Sequence, residues 1–414
     1  MQPMRRESPY PMVPIEEAQR IIAAHIEPLG VEEISSLAAD GRVLAEDVFA
    51  GEDMPDVPKA AVDGYALRAQ DGLAERRVLA ELTAGGISGE MSLQPGTAVR
   101  IMTGAPVPPG ADAVIMVEQT DERDGMLQIE RSLAPGDNIH TIGQDIGRGA
   151  LVLSRGAILG AAEIGLLATV GRVRVQAYRR PTVAVLATGD EVHEPDVSPS
   201  AGGIRDSNRY ALMAAAREAG CVAISLGIAR DDQAVQRAAI LDGLAYADVL
   251  LTSGGVSMGT RDLVKPLLAE LGTVHFGRIA FKPGKPTTFA TVGDKIAFGL
   301  PGYPVSSLVS FEVFVRPALR RMQGDARPER PRVRVTLRDP IQAPGDRPEC
   351  QRAIVAWEDG RLVARSTGAQ GSSRLLSLRG ANALLLVPGD GQTHPAGAEL
   401  EALLTGPLAL EDRR

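Results

Sequence analysis

The amino-acid sequence predicts a multidomain protein of the α/β plus β class, with a central parallel α/β domain, an inserted β domain and a small C-terminal β domain. The chain has 414 residues, which is too long for one ordinary hydrophobic core. Between residues 182 and 324, continuous apolar runs alternate with helical patterns, as in a parallel sheet covered on both faces. Short strand-like runs separated by Gly and Pro flank this block on both sides.

The N-terminal region predicts helices followed by short strands. Apolar residues recur at helical spacing over residues 15–26, after Pro14 and with acidic residues in the first turn. A second, short helix is predicted over residues 31–38, and a strand over residues 42–50. Short strands then dominate until helical spacing returns over residues 156–171.

The central block alternates strands with helices, and the tail contains strands alone. Strands are predicted over residues 182–188, 222–229, 248–253, 273–281 and 295–300. Helices are predicted over residues 207–220, 231–247, 260–272 and 305–322. In the tail, strands are predicted over residues 332–339, 352–359, 361–366 and 383–388.

Composition excludes several classes of function. The net charge is −8 and aromatic residues make up 3% of the chain, so neither phosphate neutralisation nor base stacking supports a nucleic-acid partner. The two cysteines are far apart, which argues against a disulfide framework or a structural zinc site and favours a reducing cytoplasm. Because no run of 18 apolar residues occurs, we expect a soluble, cytoplasmic protein without a membrane partner.

Five loops are expected to meet at one edge of the predicted sheet. In an open parallel sheet, ligands bind in the crevice outside the carboxyl ends of the strands. The loops that follow the predicted strands are TGDEV (188–192), ARDD (229–232), SGGVSMGTRD (253–262), KPGKP (282–286) and LPGYPVS (300–306). Their glycines permit close backbone approach to a ligand, and helix N-termini offer N–H groups to an anion.

The charged residues of these loops indicate a metal-assisted reaction at a phosphate. Lys282 and Lys285 supply cations suited to phosphate or another oxyanion. Glu191, Asp231 and Asp262 supply hard oxygen ligands, the natural set for Mg²⁺.

Each of these features also has a purely structural interpretation. The Gly254-Gly255 pair, taken alone, is more often a tight turn than a phosphate loop. Asp231 fits the start of a helix, and Asp262 fits an ion pair with Lys265 on a helix surface. In the β module, Asp63-Gly64, Thr103-Gly104 and residues 143–149 read as turns, and nothing in their spacing brings them to the crevice.

With these segments identified, the sequence resembles the molybdopterin molybdenumtransferase family, which comprises the MoeA-type enzymes and the E domain of gephyrin-like proteins. The resemblance lies in nine segments that occur in family order: DGYALRA (63–69), RIMTGAPVPPGADAVIMVEQ (100–119), GQDIGRGA (143–150), LATGDEV (186–192), IRDSNR (204–209), IARDD (228–232), SGGVSMGTRD (253–262), FKPGKP (281–286) and LPGYPVSSL (300–308). They extend across nearly the whole chain, which makes the match very specific.

The resemblance implies four domains and a homodimer. The implied domains are a discontinuous elongated domain (residues 1–45 and 143–178), an inserted β domain (46–142), an α/β molybdopterin-binding domain (179–325) and a C-terminal β domain (326–414). In this family the active site joins the α/β domain of one subunit to the first two domains of the other. Asp63, Thr103 and Asp145 would therefore reach the crevice from the partner subunit.

The resemblance also implies a reaction. Adenylyl-molybdopterin and molybdate, as substrates, yield molybdenum cofactor and AMP, with Mg²⁺ as cofactor. The implied catalytic residues are Asp63, Glu191, Asp231, Asp262 and Lys282, of which Glu191, Asp231 and Asp262 would position Mg²⁺. The implied substrate-binding residues are Thr103, Asp145, Thr188, Gly189, Ser253, Gly254, Gly255, Ser257, Arg278, Lys285, Pro301, Pro304, Arg347 and Ser372.

The sequence departs from the family pattern at a few positions. Residues 59–62 are Lys-Ala-Ala-Val where members commonly have Asn-Ser-Ala-Met, so a serine hydroxyl is missing and a lysine is added. Arg278 stands where lysine is frequent, and Tyr303 replaces a frequent Asn. These departures bear on how the oxyanion is bound, including the choice between molybdate and tungstate.

Two other functions compete with molybdenum insertion. Molybdopterin adenylylation is performed by an enzyme whose fold resembles the α/β domain alone, and the additional domains argue against it here. A non-catalytic dimeric scaffold of gephyrin type would have no need for Asp63, Glu191, Asp231, Asp262 and Lys282. Retention of this set favours catalysis.

Overall fold

The structure is a computed structural model that describes residues 9–85, 91–256 and 262–409. The chain divides into two compact units. Unit 1 comprises Met1–Ile34, Gly41–Ala45 and Gln176–Arg414, and unit 2 comprises Ser35–Asp40 and Glu46–Val175. The division into four domains stays a prediction.

The helices and strands are as follows. The helices are α1 (Ile15–Ala24), α2 (Ala161–Thr169), α3 (Asn208–Glu218), α4 (Gln233–Tyr246), α5 (Val264–Leu271), α6 (Pro304–Ser310) and α7 (Arg316–Met322), with a π-helical turn at Phe311–Val315 between the last two. The strands are β1 (Val31–Ser35), β2 (Val48–Phe49), β3 (Lys59–Ala60), β4 (Gly64–Leu67), β5 (Arg76–Leu82), β6 (Thr97–Ile101), β7 (Ala113–Met116), β8 (Thr120–Arg123), β9 (Met126–Ile129), β10 (Ile139–His140), β11 (Leu151–Leu153), β12 (Arg174–Tyr178), β13 (Thr182–Thr188), β14 (Val192–His193), β15 (Ile204–Arg205), β16 (Val222–Ala229), β17 (Val249–Ser253), β18 (Thr273–Phe276), β19 (Thr288–Val292), β20 (Lys295–Leu300), β21 (Arg332–Leu337), β22 (Ile341–Gln342), β23 (Glu349–Glu358), β24 (Arg361–Ser366), β25 (Ala383–Val387), β26 (Thr393–His394) and β27 (Glu399–Leu404).

The α/β region of unit 1 is built on a six-stranded sheet of order β16-β13-β17-β20-β19-β18. Strands β16, β13, β17 and β20 are parallel to one another, as the sequence predicts. The prediction of an entirely parallel sheet is wrong, because β19 pairs antiparallel with both β18 and β20. β18 therefore points the same way as β20 but lies at the edge of the sheet, separated from it by β19.

The sequence analysis missed β19. This strand and β20 form a hairpin around Gly293 and Asp294, in which Val292 pairs with Lys295. Its residues, TFATV, are of the β-branched and aromatic kinds that suit a strand. The Gly- and Pro-rich loop before β19 obscured this strand pattern. The strand predicted over residues 273–281 also ends too late, because the loop begins after β18.

Alternate residues of the central strands face opposite sides of the sheet. Val183 and Val185 of β13 belong to one core cluster, with α3 and the helices after β20. Ala184 and Leu186 belong to another, with α4 and α5. Side chains alternate in direction along a strand, so both faces of the sheet are covered and the prediction of an α/β fold is confirmed.

The C-terminal region of unit 1 forms a closed barrel of order β21-β24-β23-β25-β27. Val335, Val355 and Leu385 are among the side chains that fill its core. Closure of the barrel leaves none of these strands with an unpaired edge. The predicted small C-terminal β domain is confirmed.

Unit 2 is mainly β structure, as predicted. Its largest sheet has the order β7-β4-β6-β5-β9-β8, and within it β5 and β6 are the parallel neighbours. Gly64 begins β4 at a close approach of two backbones, since a Cβ atom there would lie 1.7 Å from the carbonyl oxygen of Ile115.

Two predictions near the N-terminus fare differently. The helix over residues 15–26 is confirmed as α1, whereas the short helix over residues 31–38 is wrong, because β1 and a single 3₁₀ turn occupy this segment. A stretch of eight residues is too short to be a stable helix without tertiary support. No helix within the described ranges is both long enough and apolar enough to span a membrane.

Candidate active site

Unit 1 contains a cavity of about 600 Å³ at the carboxyl ends of β13, β17 and β20. Its wall is formed by the loops that follow these strands, together with residues 204–208. The predicted site residues that line it are Thr188, Gly189, Glu191, Asp231, Ser253, Gly254, Gly255, Asp262, Pro301 and Pro304. The structure thus brings together most of the residues that the sequence placed at this edge.

Gly254 and Gly255 form a part of the wall where no side chain fits. Both have positive φ angles, +96° and +65°. A Cβ atom on Gly254 would lie 2.8 Å from the carbonyl oxygen of Thr188, and one on Gly255 would lie 2.8 Å from Cγ2 of Val264. The loop therefore presents bare backbone to the cavity, which suits the close approach of a ligand.

Three carboxylates, those of the exposed Glu191 and the half-buried Asp231 and Asp262, line the same cavity. The neighbouring Asp232 is the N-cap of α4, since its side chain accepts a hydrogen bond from the Val235 N–H at 2.9 Å. The side chain of Asp231 instead accepts one from Gln236 Nε2 at 3.3 Å. Of these two acidic residues, Asp232 takes the capping role and leaves Asp231 on the cavity wall.

The carboxylates do not form a preassembled metal site. Among the described residues, no three His, Cys, Asp or Glu side chains are grouped so that they could hold a metal ion. Mg²⁺ is usually bound by one or two carboxylates together with substrate phosphates and water. The cavity therefore fits a Mg²⁺ ion that binds together with a phosphorylated substrate.

Asn208 is a site residue that the sequence analysis quoted within IRDSNR but gave no role. Its Nδ2 atom donates to Ser253 Oγ and to the Gly302 carbonyl oxygen, both at 2.7 Å. It therefore ties the loop after β17 to the loop after β20. Its partners lie 45 and 94 residues away along the chain, so this link required the structure.

A buried arginine fixes two other segments of the wall. Arg209 donates to Asp206 Oδ2 at 2.7 Å and to Glu194 Oε2 at 2.5 Å. The Arg209 side chain is 7% exposed and that of Asp206 is 1% exposed. Since Asp206 lines the cavity and Glu194 follows Glu191 by three residues, this network sets the positions of both segments.

The predicted cationic residues lie elsewhere. The described lining of the cavity does not include Arg278, Lys282, Lys285, Arg347 or Ser372. The loop that carries the two lysines joins the edge strand β18 to β19, and of its residues 282–286 only Pro286 belongs to the described lining. Lys282 Nζ instead lies 2.7 Å from Asp346 Oδ1.

Unit 2 has a cavity of its own, of about 500 Å³. The predicted residues Thr103 and Asp145 line it, together with Lys59 and His140. Asp63 is not part of the described lining, but its Oδ1 accepts hydrogen bonds from the Thr103 N–H at 2.7 Å and from the Thr103 hydroxyl at 2.8 Å. The hydrogen bond from the Thr103 N–H, and to a smaller extent that from its hydroxyl, lowers the pKa of Asp63. The ionised carboxylate therefore holds the Thr103 turn in place.

Ser257, which the resemblance places at the substrate, lies outside the described residues.

The fold defines a protein with a cavity-bearing α/β region that lies, in chain order, between two β-rich regions. The family described as probable molybdopterin binding domain matches residues 184–321. The MoeA N-terminal region (domain I and II) matches residues 13–171, and the MoeA C-terminal region (domain IV) matches residues 334–405. The chain therefore belongs to the MoeA family, and the resemblance inferred from the sequence is confirmed.

Relatives and solved structures agree. The chain is 37% identical to molybdopterin molybdenumtransferase 2 of Mycobacterium tuberculosis, covering 94% of this chain and 98% of that protein. It is 34% identical to molybdopterin molybdenumtransferase of Bacillus subtilis, covering 95% and 94%. It is 38% identical to gephyrin of Dictyostelium discoideum but spans only 64% of that protein. The crystal structure of the MoeA protein of Pyrococcus horikoshii OT3 covers 95% of this chain with a TM-score of 0.82 and 30% identity.

Proposed function

We propose that this chain is a molybdopterin molybdenumtransferase, which transfers molybdenum from molybdate to molybdopterin. Its membership of the MoeA family and the names of relatives that it matches over nearly their full length support this activity. The observation that carries the proposal within the molecule is the unit 1 cavity, where a bare glycine loop and three carboxylates share one wall. Backbone without side chains suits a phosphate, and carboxylates suit its metal counterion.

The finer reaction that we propose consumes adenylyl-molybdopterin and molybdate and releases molybdenum cofactor and AMP. Glu191, Asp231 and Asp262 would hold Mg²⁺, which neutralises charge on the diphosphate when it is bound. Gly254 and Gly255 accommodate the phosphates by close backbone approach, because no side chain stands between them and the cavity.

Other residues hold the substrates in place. Ser253 is oriented by Asn208, and Pro301 and Pro304 fix the loop after β20. We propose that Lys282 and Arg347 bind the oxyanion, to which the remaining predicted contacts (Arg278, Lys285, Ser372 and Ser257) would add.

The direct test supplies the purified chain with adenylyl-molybdopterin, Mg²⁺ and molybdate and measures released AMP by chromatography. Formation of molybdenum cofactor is followed in the same sample by activation of an apo-molybdoenzyme. We expect AMP and cofactor in equal amounts, and only when molybdate is present. A second assay supplies ATP and molybdopterin, and release of pyrophosphate there would indicate the adenylyltransferase instead. Absence of both reactions would favour the non-catalytic scaffold.

We also propose a cytoplasmic homodimer in which Asp63, Thr103 and Asp145 act on substrate bound by the partner. This part rests on the family resemblance, and the hydrogen bonds from Thr103 to Asp63 give Asp63 the task of shaping the Thr103 turn. Light scattering should give twice the mass of the chain.

Mixing two inactive variants tests whether the site is shared. Asp63→Ala and Asp262→Ala are unfolded together and refolded, so that half of the dimers are mixed. If the site is shared, each mixed dimer has one intact site, and roughly a quarter of wild-type AMP release returns. No recovery, despite exchange of labelled subunits, would contradict sharing.

A further inference from the structure

Asp346 lies between the two cations that we propose as oxyanion ligands. Lys282 Nζ is 2.7 Å from Asp346 Oδ1, and Arg347 Nη1 is 3.4 Å from Asp346 Oδ2. One carboxylate thus uses both of its oxygens to bridge a lysine and an arginine. A tetrahedral oxyanion would make the same kind of bridge.

The two cations are held together by the backbone. The Lys282 N–H donates to the Pro348 carbonyl oxygen at 2.9 Å, and the Cys350 N–H donates to the Lys282 carbonyl oxygen at 2.7 Å. Gly389 packs so closely on Arg347 that a Cβ atom there would lie 2.5 Å from the Arg347 carbonyl carbon. The backbone segments that carry Lys282 and Arg347 are therefore held together without the Asp346 side chain.

The arginine has a hydrogen-bond donor without an acceptor. Arg347 Nε is buried and has no hydrogen-bond partner among the described residues. A buried donor normally has a partner, because leaving it unsatisfied costs free energy. The Arg347 side chain is 19% exposed and that of Asp346 is 54% exposed. The carboxylate is thus the more exposed member of the cluster, and the guanidinium is the more buried one.

We propose that Asp346 is an internal competitor that occupies the oxyanion position between Lys282 and Arg347 until an oxyanion displaces it. This inference rests on the proposed function, in which these two cations bind molybdate. No property of the molybdopterin part of the site enters it.

The tethered carboxylate competes with every oxyanion alike. The hydrogen bond from Lys282 lowers the pKa of Asp346, so its carboxylate stays ionised and competes at neutral pH. Any entering anion, whatever its charge, must overcome the high effective concentration of this tethered carboxylate, so Asp346 lowers the affinity for each anion by the same factor. A dianion such as molybdate still binds the two cations more strongly than a monoanion, because its Coulomb attraction to them is doubled. The displaced, half-exposed carboxylate passes into water.

The test measures anion affinity of the full chain by titration calorimetry. Molybdate is titrated directly, and nitrate, a monoanion, is titrated as its competitor. In Asp346→Asn we expect the affinities for molybdate and nitrate to rise by the same factor, about fivefold, because a competitor of both is removed. No rise, or a rise for molybdate alone, which would indicate only a through-space effect of the charge, would overturn the proposal. Asp346→Ser should behave in the same way and serves if the first variant unfolds.

Asp121→Asn is the matched control. Asp121 is also a carboxylate paired with a cation, at 2.8 Å from Arg123, and its side chain is 53% exposed. The Asp121→Asn substitution removes the same charge at a position that is far from Asp346 in the sequence and belongs to unit 2. We expect its anion affinities to equal those of the wild type, and a rise of the same size as in Asp346→Asn would assign the effect to net charge and overturn the proposal.

A third variant separates this inference from the function on which it rests. Lys282→Met should weaken molybdate binding. Wild-type affinity in Lys282→Met would overturn the proposed oxyanion site itself. Weakened binding in Lys282→Met, together with unchanged affinities in Asp346→Asn, would overturn the role of Asp346 alone.

Discussion

Two places in unit 1 differ in the charge of the ligand that their side chains favour. The cavity wall combines bare glycine backbone with the carboxylates of Glu191, Asp231 and Asp262, so its side chains favour a metal cation. The cluster of Lys282, Asp346 and Arg347, which we call the cation cluster, favours an oxyanion and contains its own counterion. The reaction that we propose cleaves a diphosphate and consumes an oxyanion, and it therefore needs both kinds of surface. The comparison teaches that the sign of the side-chain charges, rather than the nearness of the loops to one another, distinguishes metal binding from oxyanion binding.

The largest expected effect distinguishes chemistry from oxyanion binding. Glu191→Gln removes one charge from the cavity wall and should lower kcat by roughly 10²–10³-fold, the range for loss of one electrostatic contact at a reacting group. Lys282→Met should instead raise the KM for molybdate more than it lowers kcat. Steady-state AMP release at varied molybdate checks both. Identical changes in kcat and in the KM for molybdate in the two variants would contradict separate roles for the cavity wall and the cation cluster.

The next effect tests the support of the cavity wall. Arg209→Met leaves the carboxylate of Asp206 buried without its partner and should lower the free energy of unfolding by about 3–5 kcal/mol. Urea denaturation measures this difference. Arg217→Met, an exposed arginine on the same helix, is the control and should change stability little. Equal stabilities of the two variants would remove Arg209 from its supporting role.

Backbone strain gives a further, smaller effect. Gly254→Ala places a Cβ atom 2.8 Å from the Thr188 carbonyl oxygen at a φ of +96°, and should cost about 1–3 kcal/mol. Substrate binding should weaken with it, because the methyl group changes the bare loop. Gly165→Ala in α2, where a Cβ atom meets nothing within 4 Å, should be neutral or stabilising. Thermal unfolding and equilibrium binding, measured on both variants, decide the point.

The smallest effect separates the carboxylates of the cavity from one at the opposite, amino end of β17. Asp248 accepts hydrogen bonds from Arg179 at 2.8 and 3.0 Å and from the Thr182 N–H at 2.8 Å. Burial alone would raise the pKa of Asp248, but these hydrogen bonds bring it below its ordinary value. Asp248→Asn should lower stability by about 1–3 kcal/mol with kcat unchanged.

The pH dependence of that effect has a definite sign. A carboxylate whose pKa is lowered in the folded state binds fewer protons there than in the unfolded chain. Its stabilisation is complete above the unfolded pKa of about 3.9 and is lost as the pH falls through the folded value. Urea midpoints between neutral and acidic pH should therefore converge for wild type and Asp248→Asn. A gap that stays constant down to the lowest pH would contradict this.

The sequence predicted the framework of unit 1 and most of the cavity. Parallel strands direct their following loops to one edge, so Glu191, Ser253 and Pro301 could be placed together from strand order alone. β19 was missed because its short run follows a Gly- and Pro-rich loop. The position of Lys282 outside the cavity lining was missed with it.

Contacts that depend on side-chain direction could not be predicted. The link from Asn208 to Ser253 crosses 45 residues, and the bond from Thr103 to Asp63 crosses 40. Neither periodicity nor loop position carries information about such pairs. Asp346 was invisible for the same reason, since its role arises from a tertiary contact with Lys282.

The central claim is that molybdenum transfer takes place at the carboxylate-lined cavity of unit 1. Its most direct test compares molybdate-dependent AMP release by wild type, Asp262→Asn and Asp242→Asn, the last being an exposed carboxylate on α4. We predict that Asp262→Asn loses AMP release while its melting temperature is unchanged, and that Asp242→Asn retains it. Wild-type turnover by Asp262→Asn would contradict the account.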